Sequence, residues 1–325
     1  MTISPQLTNT KSKTYRGAFY KTHRRIYLAT LILGILLVAV SCRLSRSGSE
    51  EIDSDSQPAL GAGFRYSPYG PQYDPGPEYW AGVGRQMAGR FPGATPQTIW
   101  IVSVVIGENT YLTFPATGTS KNILTSPTDD NEAALTLFDE LGVQVWLQVE
   151  PSQAPVEELI HLMLTQYGHH PSVIGVGVDV EWYQSHDKAE GKAVTDAEAE
   201  AWLAATRSHG EHYRLMLKHW ETGKMPPTVR EGILFADDSQ GFTSLDEMAT
   251  EFSIWGEAFA PAPVAFQFGY ERDRAWWETL DDPPGEIGHR ILAAVPNTEA
   301  LYWVDFTVLR VFPPDSTDHN GGATK

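Results

Sequence analysis

The chain has 325 residues, 42% of them hydrophobic, enough for one large core with terminal extensions. A formal net charge of -17 argues against a nucleic-acid role, because phosphate contact needs a basic surface. A single cysteine rules out an intrachain disulfide.

At the N-terminus, Lys11, Lys13, Arg16, Lys21, Arg24 and Arg25 precede the apolar run IYLATLILGILLVAV. A basic flank before an apolar stretch shorter than the about 20 residues of a membrane span reads as an export signal. The run ends in AVSC, which resembles a bacterial lipoprotein cleavage box with Cys42 as the lipidated residue, Ala39 standing where Leu is usual. The alternative is an uncleaved signal anchor with its basic flank held inside. Either reading tethers the rest of the chain to a membrane, outside the cytoplasm. Residues 1–42 are thus read as signal or anchor, and the polar stretch RLSRSGSEEIDSDSQP (43–58) as a flexible tether. The tail 313–325, PPDSTDHNGGATK, reads as disordered, which leaves 59–312 as a single domain.

That domain alternates β-rich runs with amphipathic stretches. The runs are GAGFRYS (61–67), TIWIVSVV (98–105), VQVWLQVE (143–150), VIGVGVDVE (173–181), RLMLKHW (214–220), GILFADD (232–238), PVAFQFG (263–269) and ALYWVDF (300–306). Helices suit 78–91, 131–141 and 283–295, and VEELIHLMLTQY has apolar residues at helical spacing. Thr195 with Glu198, and Ser244 with Glu247, each fit a capping box that opens a helix. The link from 220 to 232 has no clear helix. Eight strands with helical crossovers predict an α/β fold, a (β/α)8 TIM barrel.

Side chains alternate across a strand, so parity sorts them. In the fourth run Val176, Val178 and Val180 share one face, and Gly175, Gly177, Asp179 and Glu181 the other. The third run sets Val145, Leu147 and Val149 against Gln144, Trp146, Gln148 and Glu150. The apolar sets are expected to face the helices and the polar sets the barrel interior. Polar groups then collect at the C-terminal strand ends, where such barrels keep their sites: Gln148, Glu150, Asp179, Glu181, Lys218, Asp237 or Asp238, Gln267 and Asp305, with Arg65 from the first run. His169 and His170 precede the fourth strand, so they belong to the opposite face and read as surface or packing residues. His219 has the opposite parity to Lys218 and is expected against the helical layer.

Paired carboxyls at a barrel mouth suit hydrolysis of a glycosidic bond. One acid with a raised pKa protonates the leaving oxygen while a second carboxylate, or the substrate itself, stabilises the oxocarbenium-like centre. Asp179 and Glu181 would lie about 7 Å apart at Cα on one strand face. Their mutual repulsion favours one protonated partner. The stretch IGVGVDVE resembles the DGxDxDxE signature of glycoside hydrolase family 18, the chitinase-like barrels, through Gly175, Asp179 and Glu181. Ile174 and Gly177 replace its earlier aspartates, and GILFADD lacks the tyrosine of the family's sixth-strand element. The resemblance implies Glu181 as general acid, Asp179 as orienter of a substrate acetamido group, and Trp303 as sugar platform. Without it, Glu150, Asp237 or Asp305 would serve as nucleophile or base. Tyr270 and Trp182 are further stacking candidates.

The expected partners are therefore a glycan substrate and a membrane, and not nucleic acid. One alternative is a carbohydrate-binding barrel without catalysis. Another is a hydrolase holding Mg or Ca through Glu150, Asp179, Asp237 and Asp305. The sequence offers no phosphate-cradling glycine loop before a helix, no serine elbow and no zinc cysteine set, so no cofactor and no resident metal are expected.

Overall fold

The computed structural model describes residues 59–314. In chain order the first strands are β1 (Gly61–Tyr66), β2 (Thr95–Ile101), β3 (Ser103–Ile106), β4 (Asn109–Leu112) and β5 (Ile123–Thr125). They are followed by β6 (Gln144–Val149), β7 (Val173–Asp179), β8 (Arg214–Lys218), β9 (Ile233–Asp237), β10 (Val264–Phe268) and β11 (Thr298–Val304). Eight of these close a barrel in the order β1-β11-β10-β9-β8-β7-β6-β2, with every adjacent pair parallel. The helices are α1 (Pro77–Ala88), α2 (Glu132–Leu141), α3 (Val156–Tyr167), α4 (Asp196–Arg207), α5 (Leu245–Phe259), α6 (Arg274–Trp277), α7 (Pro283–Ala294) and α8 (Asp305–Val311). The protein is a (β/α)8 barrel, as the alternating pattern predicts. The signal segment with Cys42, the tether, and the tail from 315 lie outside the described residues. No described helix is long and apolar enough to cross a membrane.

Local chemistry sets the element ends. The Thr195–Glu198 capping box is complete, with each partner bonding the other's backbone. At α5 the box is half formed: Ser244 caps the Glu247 amide, while the Glu247 carboxylate accepts from the amide and hydroxyl of Thr243. Between β8 and β9 only a 3₁₀ turn, Thr222–Lys224, replaces the helix. The run 98–105 divides in two, because the chain leaves the barrel after Ile101. It then builds a small sheet ordered β3-β4-β5 over the β2 end. Two further runs stop short of expectation. Asp179 ends β7 and accepts a hydrogen bond from the Glu181 amide at 3.2 Å, which turns the chain into a 3₁₀ turn over Val180–Trp182. Val304 ends β11, and Asp305 opens α8.

Parity holds throughout. Phe64, Leu147, Val176, Leu217, Phe235 and Phe266 pack outward against the helices in one buried cluster. Ile99, Trp146, Met216, Leu234, Ala265 and Tyr302 fill the interior. The floor is polar but satisfied. The Trp146 indole N–H donates to Gln97 Oε1 at 3.1 Å, the Tyr302 hydroxyl donates to the same oxygen, and Arg214 pairs with Glu299 at 2.5 Å.

The valine–glycine alternation of β7 now has a cause. A Cβ on Gly175 would lie 2.6 Å from the Trp146 ring and 2.3 Å from the Arg214 carbonyl oxygen. On Gly177 it would lie 2.5 Å from the Met216 methyl. The glycines make room for the large side chains of β6 and β8. Gly175→Ala is expected to cost about 1–3 kcal/mol in urea unfolding, since the backbone oxygen cannot yield as a side chain can. An unchanged midpoint would mean that β7 shifts freely.

Candidate active site

At the C-terminal end of the barrel the inward-facing residues turn from apolar to charged. Lys218 ends β8, and its ammonium meets three carboxylates: Asp238 Oδ2 at 2.5 Å, Asp179 Oδ2 at 2.9 Å and Glu181 Oε2 at 3.6 Å. Gln148 Nε2 adds a long contact of 3.5 Å to Asp179 Oδ2. The Lys218, Asp179 and Asp238 side chains are 7%, 3% and 6% exposed, whereas that of Glu181 is 33% exposed. Glu181 is thus the member of the cluster that reaches solvent.

A second cluster lies across the mouth. Arg65 Nη1 donates to Asp305 Oδ1 at 2.6 Å, and the Ser67 amide and hydroxyl donate to Asp305 Oδ2 at 2.6 and 2.7 Å. All of the Asp305 side chain is buried, so it positions Arg65 and the loop after β1. Between the clusters sits Glu150, which accepts from the Tyr69 hydroxyl at 2.6 Å. That hydroxyl in turn accepts from the Val105 amide at 3.0 Å, which ties the small β3-β4-β5 sheet to the site. On the β10 side the Tyr270 hydroxyl lies 3.3 Å from Gln267 Oε1. Among the buried polar atoms of the described residues that have no hydrogen-bond partner are Gln148 Oε1, Asp238 Oδ1 and Gln267 Nε2. They belong to residues of the mouth, and bare donors and acceptors of this kind call for water or ligand hydroxyls.

Burial sets the proton affinities. It pushes the Glu150 carboxyl up to about 8, with the Asp179 charge adding and the Tyr69 hydrogen bond pulling back. It pushes Glu181 up to about 7, against the pull of Lys218 and with the repulsion of Asp179 and Asp238. Burial alone would lower Lys218, but Asp179, Asp238 and Glu181 outweigh it and hold the ammonium charged. Asp179 is raised by burial and held back chiefly by Lys218.

The structure brings together Gln148, Asp179, Glu181 and Lys218, and sets Glu150, Gln267, Tyr270 and Asp305 in the groups beside them. Two expectations need correction. Trp303 is fully buried on the outward face, edge-on to Trp277 and Phe268, with its N–H donated to Thr307 Oγ1 at 2.9 Å. It has the parity of Leu301 and offers no sugar platform. Asp237 shares parity with Ile233 and Phe235, is buried, and accepts from the Ser239 amide at 2.7 Å. Its neighbour Asp238 takes the inward place at Lys218. The four-carboxylate metal site therefore does not assemble: Asp237 faces away, Asp305 is held by Arg65, and the Lys218 ammonium fills the place beside Asp179.

The sequence reading missed Tyr69 and Phe306. Both rings are about half exposed, at 47% and 46%, and the Arg65 guanidinium sits 4.6 Å from the Phe306 ring centre. Their places just beyond β1 and β11 were the available signal. His219 is buried against the loops that follow β7 and β8 and not against a helix: its Nδ1 accepts from the Glu221 amide, so Nε2 donates to the Glu190 carbonyl, and burial lowers its pKa to about 4.

Neither a family model nor a curated protein sequence matches the chain. Among solved structures it is similar to a protein from Bacteroides thetaiotaomicron VPI-5482 provisionally assigned as an alpha-L-fucosidase, at 12% identity and TM-score 0.47 over 79% of this chain and 91% of that one. It is also similar to a broad-specificity GH5-4 endoglucanase from an uncultured bacterium, at 10% identity and TM-score 0.42 over 75% and 86% of the two chains. A beta-D-glucuronidase from Dictyoglomus thermophilum aligns at 12% identity and TM-score 0.37, over 63% of this chain and 37% of that one. At such identities the likeness lies in the course of the chain, and the chemistry has to be read from this protein's own side chains.

Lys218→Met is expected to destabilise the protein by about 3–5 kcal/mol in denaturant unfolding, because it leaves buried carboxylates without a cation. A loss below about 1 kcal/mol would mean that water solvates the cluster. The raised Glu150 pKa also links stability to pH. The folded state binds this proton more tightly than the unfolded chain, so the contribution is full below the ordinary value of 4.5 and is lost as pH rises to about 8. Melting temperatures taken across that interval should fall with pH, and the slope should flatten in Glu150→Gln. An equal slope in both proteins would place the titration elsewhere.

Proposed function

We propose that this barrel is a glycoside hydrolase that acts on an oligo- or polysaccharide, with Glu181 as general acid. The observation that carries the reading is the contrast within one cluster. Glu181 alone is open to solvent, and its pKa is raised to about 7, so it carries a transferable proton near neutral pH. Asp179 and Asp238 are buried in direct contact with Lys218 and set carboxyl groups beside it, suited to an oxocarbenium-like centre. Asp179 also accepts the Glu181 amide, which fixes the turn that carries the acid. The half-exposed Tyr69 and Phe306 rings suit stacking on sugar faces, and the unpartnered Gln148, Asp238 and Gln267 atoms suit sugar hydroxyls.

The family 18-like assignment of Asp179 to a substrate acetamido group rests on the IGVGVDVE resemblance. It belongs to the proposal without the Trp303 platform. We also place the barrel outside the cytoplasm, tethered through a lipid on Cys42 or through the apolar run itself, on the strength of the N-terminal pattern.

The test uses the full-length chain in mild detergent, wild type beside Glu181→Gln, on a broad panel of bacterial and plant glycans with new reducing ends assayed. Wild-type cleavage should fall about 10²–10⁴-fold in the variant. Because Glu181 must be protonated, wild-type turnover should decline as pH rises through about 7. Equal cleavage by both proteins would remove Glu181 from the acid role. Glycan binding without cleavage by either protein would make the barrel a carbohydrate-binding module.

A further inference from the structure

The His169-His170 pair lies at the N-terminal end of the barrel, away from the mouth, and its side chains are not simply packed. His170 Nδ1 lies 2.7 Å from Asp139 Oδ2, and Asp139 is itself held by the Ser172 amide at 2.9 Å. His169 Nδ1 lies 3.0 Å from the Gln166 carbonyl oxygen. Each ring therefore donates from Nδ1, which leaves a lone pair on each Nε2. Both of these nitrogens are turned toward one carboxylate on the first residue of α2. His170 Nε2 is 3.4 Å from Glu132 Oε2, and His169 Nε2 is 3.7 Å from Glu132 Oε1.

Two imidazole lone pairs facing a carboxylate repel unless a positive charge sits among them. A proton on one Nε2 would join that ring alone to the carboxylate, whereas a single metal ion engages both nitrogens and the carboxylate at once, with the ring centres 4.0 Å apart. The three ligand atoms lie within 4.8 Å of one another. A tetrahedral ion with bonds of about 2.1 Å spaces its ligands about 3.4 Å apart, close to the two oxygen–nitrogen distances. Asp139 behind His170 and the Gln166 carbonyl behind His169 are the outer partners that fix tautomer and ring orientation at metal-bound histidines.

We propose that Glu132, His169 and His170 form a site for a divalent transition metal of the zinc class, with water at the fourth position. Two imidazoles and one carboxylate favour zinc over the oxygen-seeking magnesium and calcium. The exposure of His169 and Glu132 leaves the fourth position open to solvent. The ion joins the start of α2 to the connection between α3 and β7. Its role is to fasten the base of the barrel on the side that bears β6 and β7.

The test is zinc titration of the full-length, chelator-treated chain in mild detergent, by calorimetry with metal analysis after dialysis. One zinc per chain is expected, with a rise in melting temperature that magnesium does not reproduce. His169→Ala, at an exposed position that leaves the metal-free fold intact, should weaken binding at least about tenfold. Asp139→Asn should weaken it about 10–100-fold by releasing His170. His209→Ala removes the other adjacent imidazole pair, His161 with His209, and should leave the affinity unchanged. No stoichiometric zinc, or zinc bound equally well by His169→Ala, would overturn the proposal.

Discussion

One buried ammonium organises the mouth of this barrel. Lys218 sits among Asp179, Asp238 and Glu181, and all three carboxylate oxygens lie within 3.6 Å of its nitrogen. Carboxylates this deep would bind protons or disrupt the fold if no cation were near. With the cation present, the two most enclosed acids have a direct partner and the third, farther out and more solvated, is left near the balance point of ionisation. The arrangement that makes the strand tips tolerable is thus the one that leaves Glu181 as the solvent-reaching acid of the cluster. A single charge fixes both the stability and the chemical character of the site.

That charge is placed by the architecture beneath it. Lys218 is the last residue of β8, Asp179 the last of β7, and Asp238 follows β9, so three neighbouring strands deliver the cluster in register. The register depends on how closely β7 approaches its neighbours, which the bare faces of Gly175 and Gly177 allow. Bulk is moved elsewhere in the barrel, to Trp146 and Met216. The opposite cluster follows the same logic with other residues: Arg65 replaces lysine, Asp305 is wholly enclosed, and Phe306 covers the guanidinium. Glu150 lies between the two cations, and burial holds its proton against the pull of both.

The two ends of the barrel divide the work. The C-terminal end gathers acids around fixed cations and keeps polar atoms bare. The N-terminal end closes its floor with satisfied groups, Trp146 and Tyr302 on Gln97 and Arg214 on Glu299. The Glu132, His169 and His170 group lies on that stabilising side, where a bound ion would strengthen the frame without touching the reaction.

Much of this was present in the sequence. All eight barrel strands are legible as runs of alternating or continuous apolar residues, because a barrel strand has one face against helices and one against the interior. Period-two parity assigns Gln148, Asp179, Lys218 and Gln267 to the inside for the same reason. Parity also speaks against Trp303 as a sugar platform, since it shares the face of Leu301. What the sequence leaves open begins where the strands end. The turn after Asp179 is closed locally by the Glu181 amide, but the setting of Asp305 and the choice of Asp238 over Asp237 depend on partners distant in the chain, Arg65 and Lys218. Tyr69 reaches Glu150 across 81 residues, and Lys218 reaches Asp179 across 39. Local patterning is written residue by residue, because each side chain's face follows from its backbone. The pairing of charges and the proton affinities that result require the closed barrel, because only tertiary structure sets which groups share a space that water cannot fill.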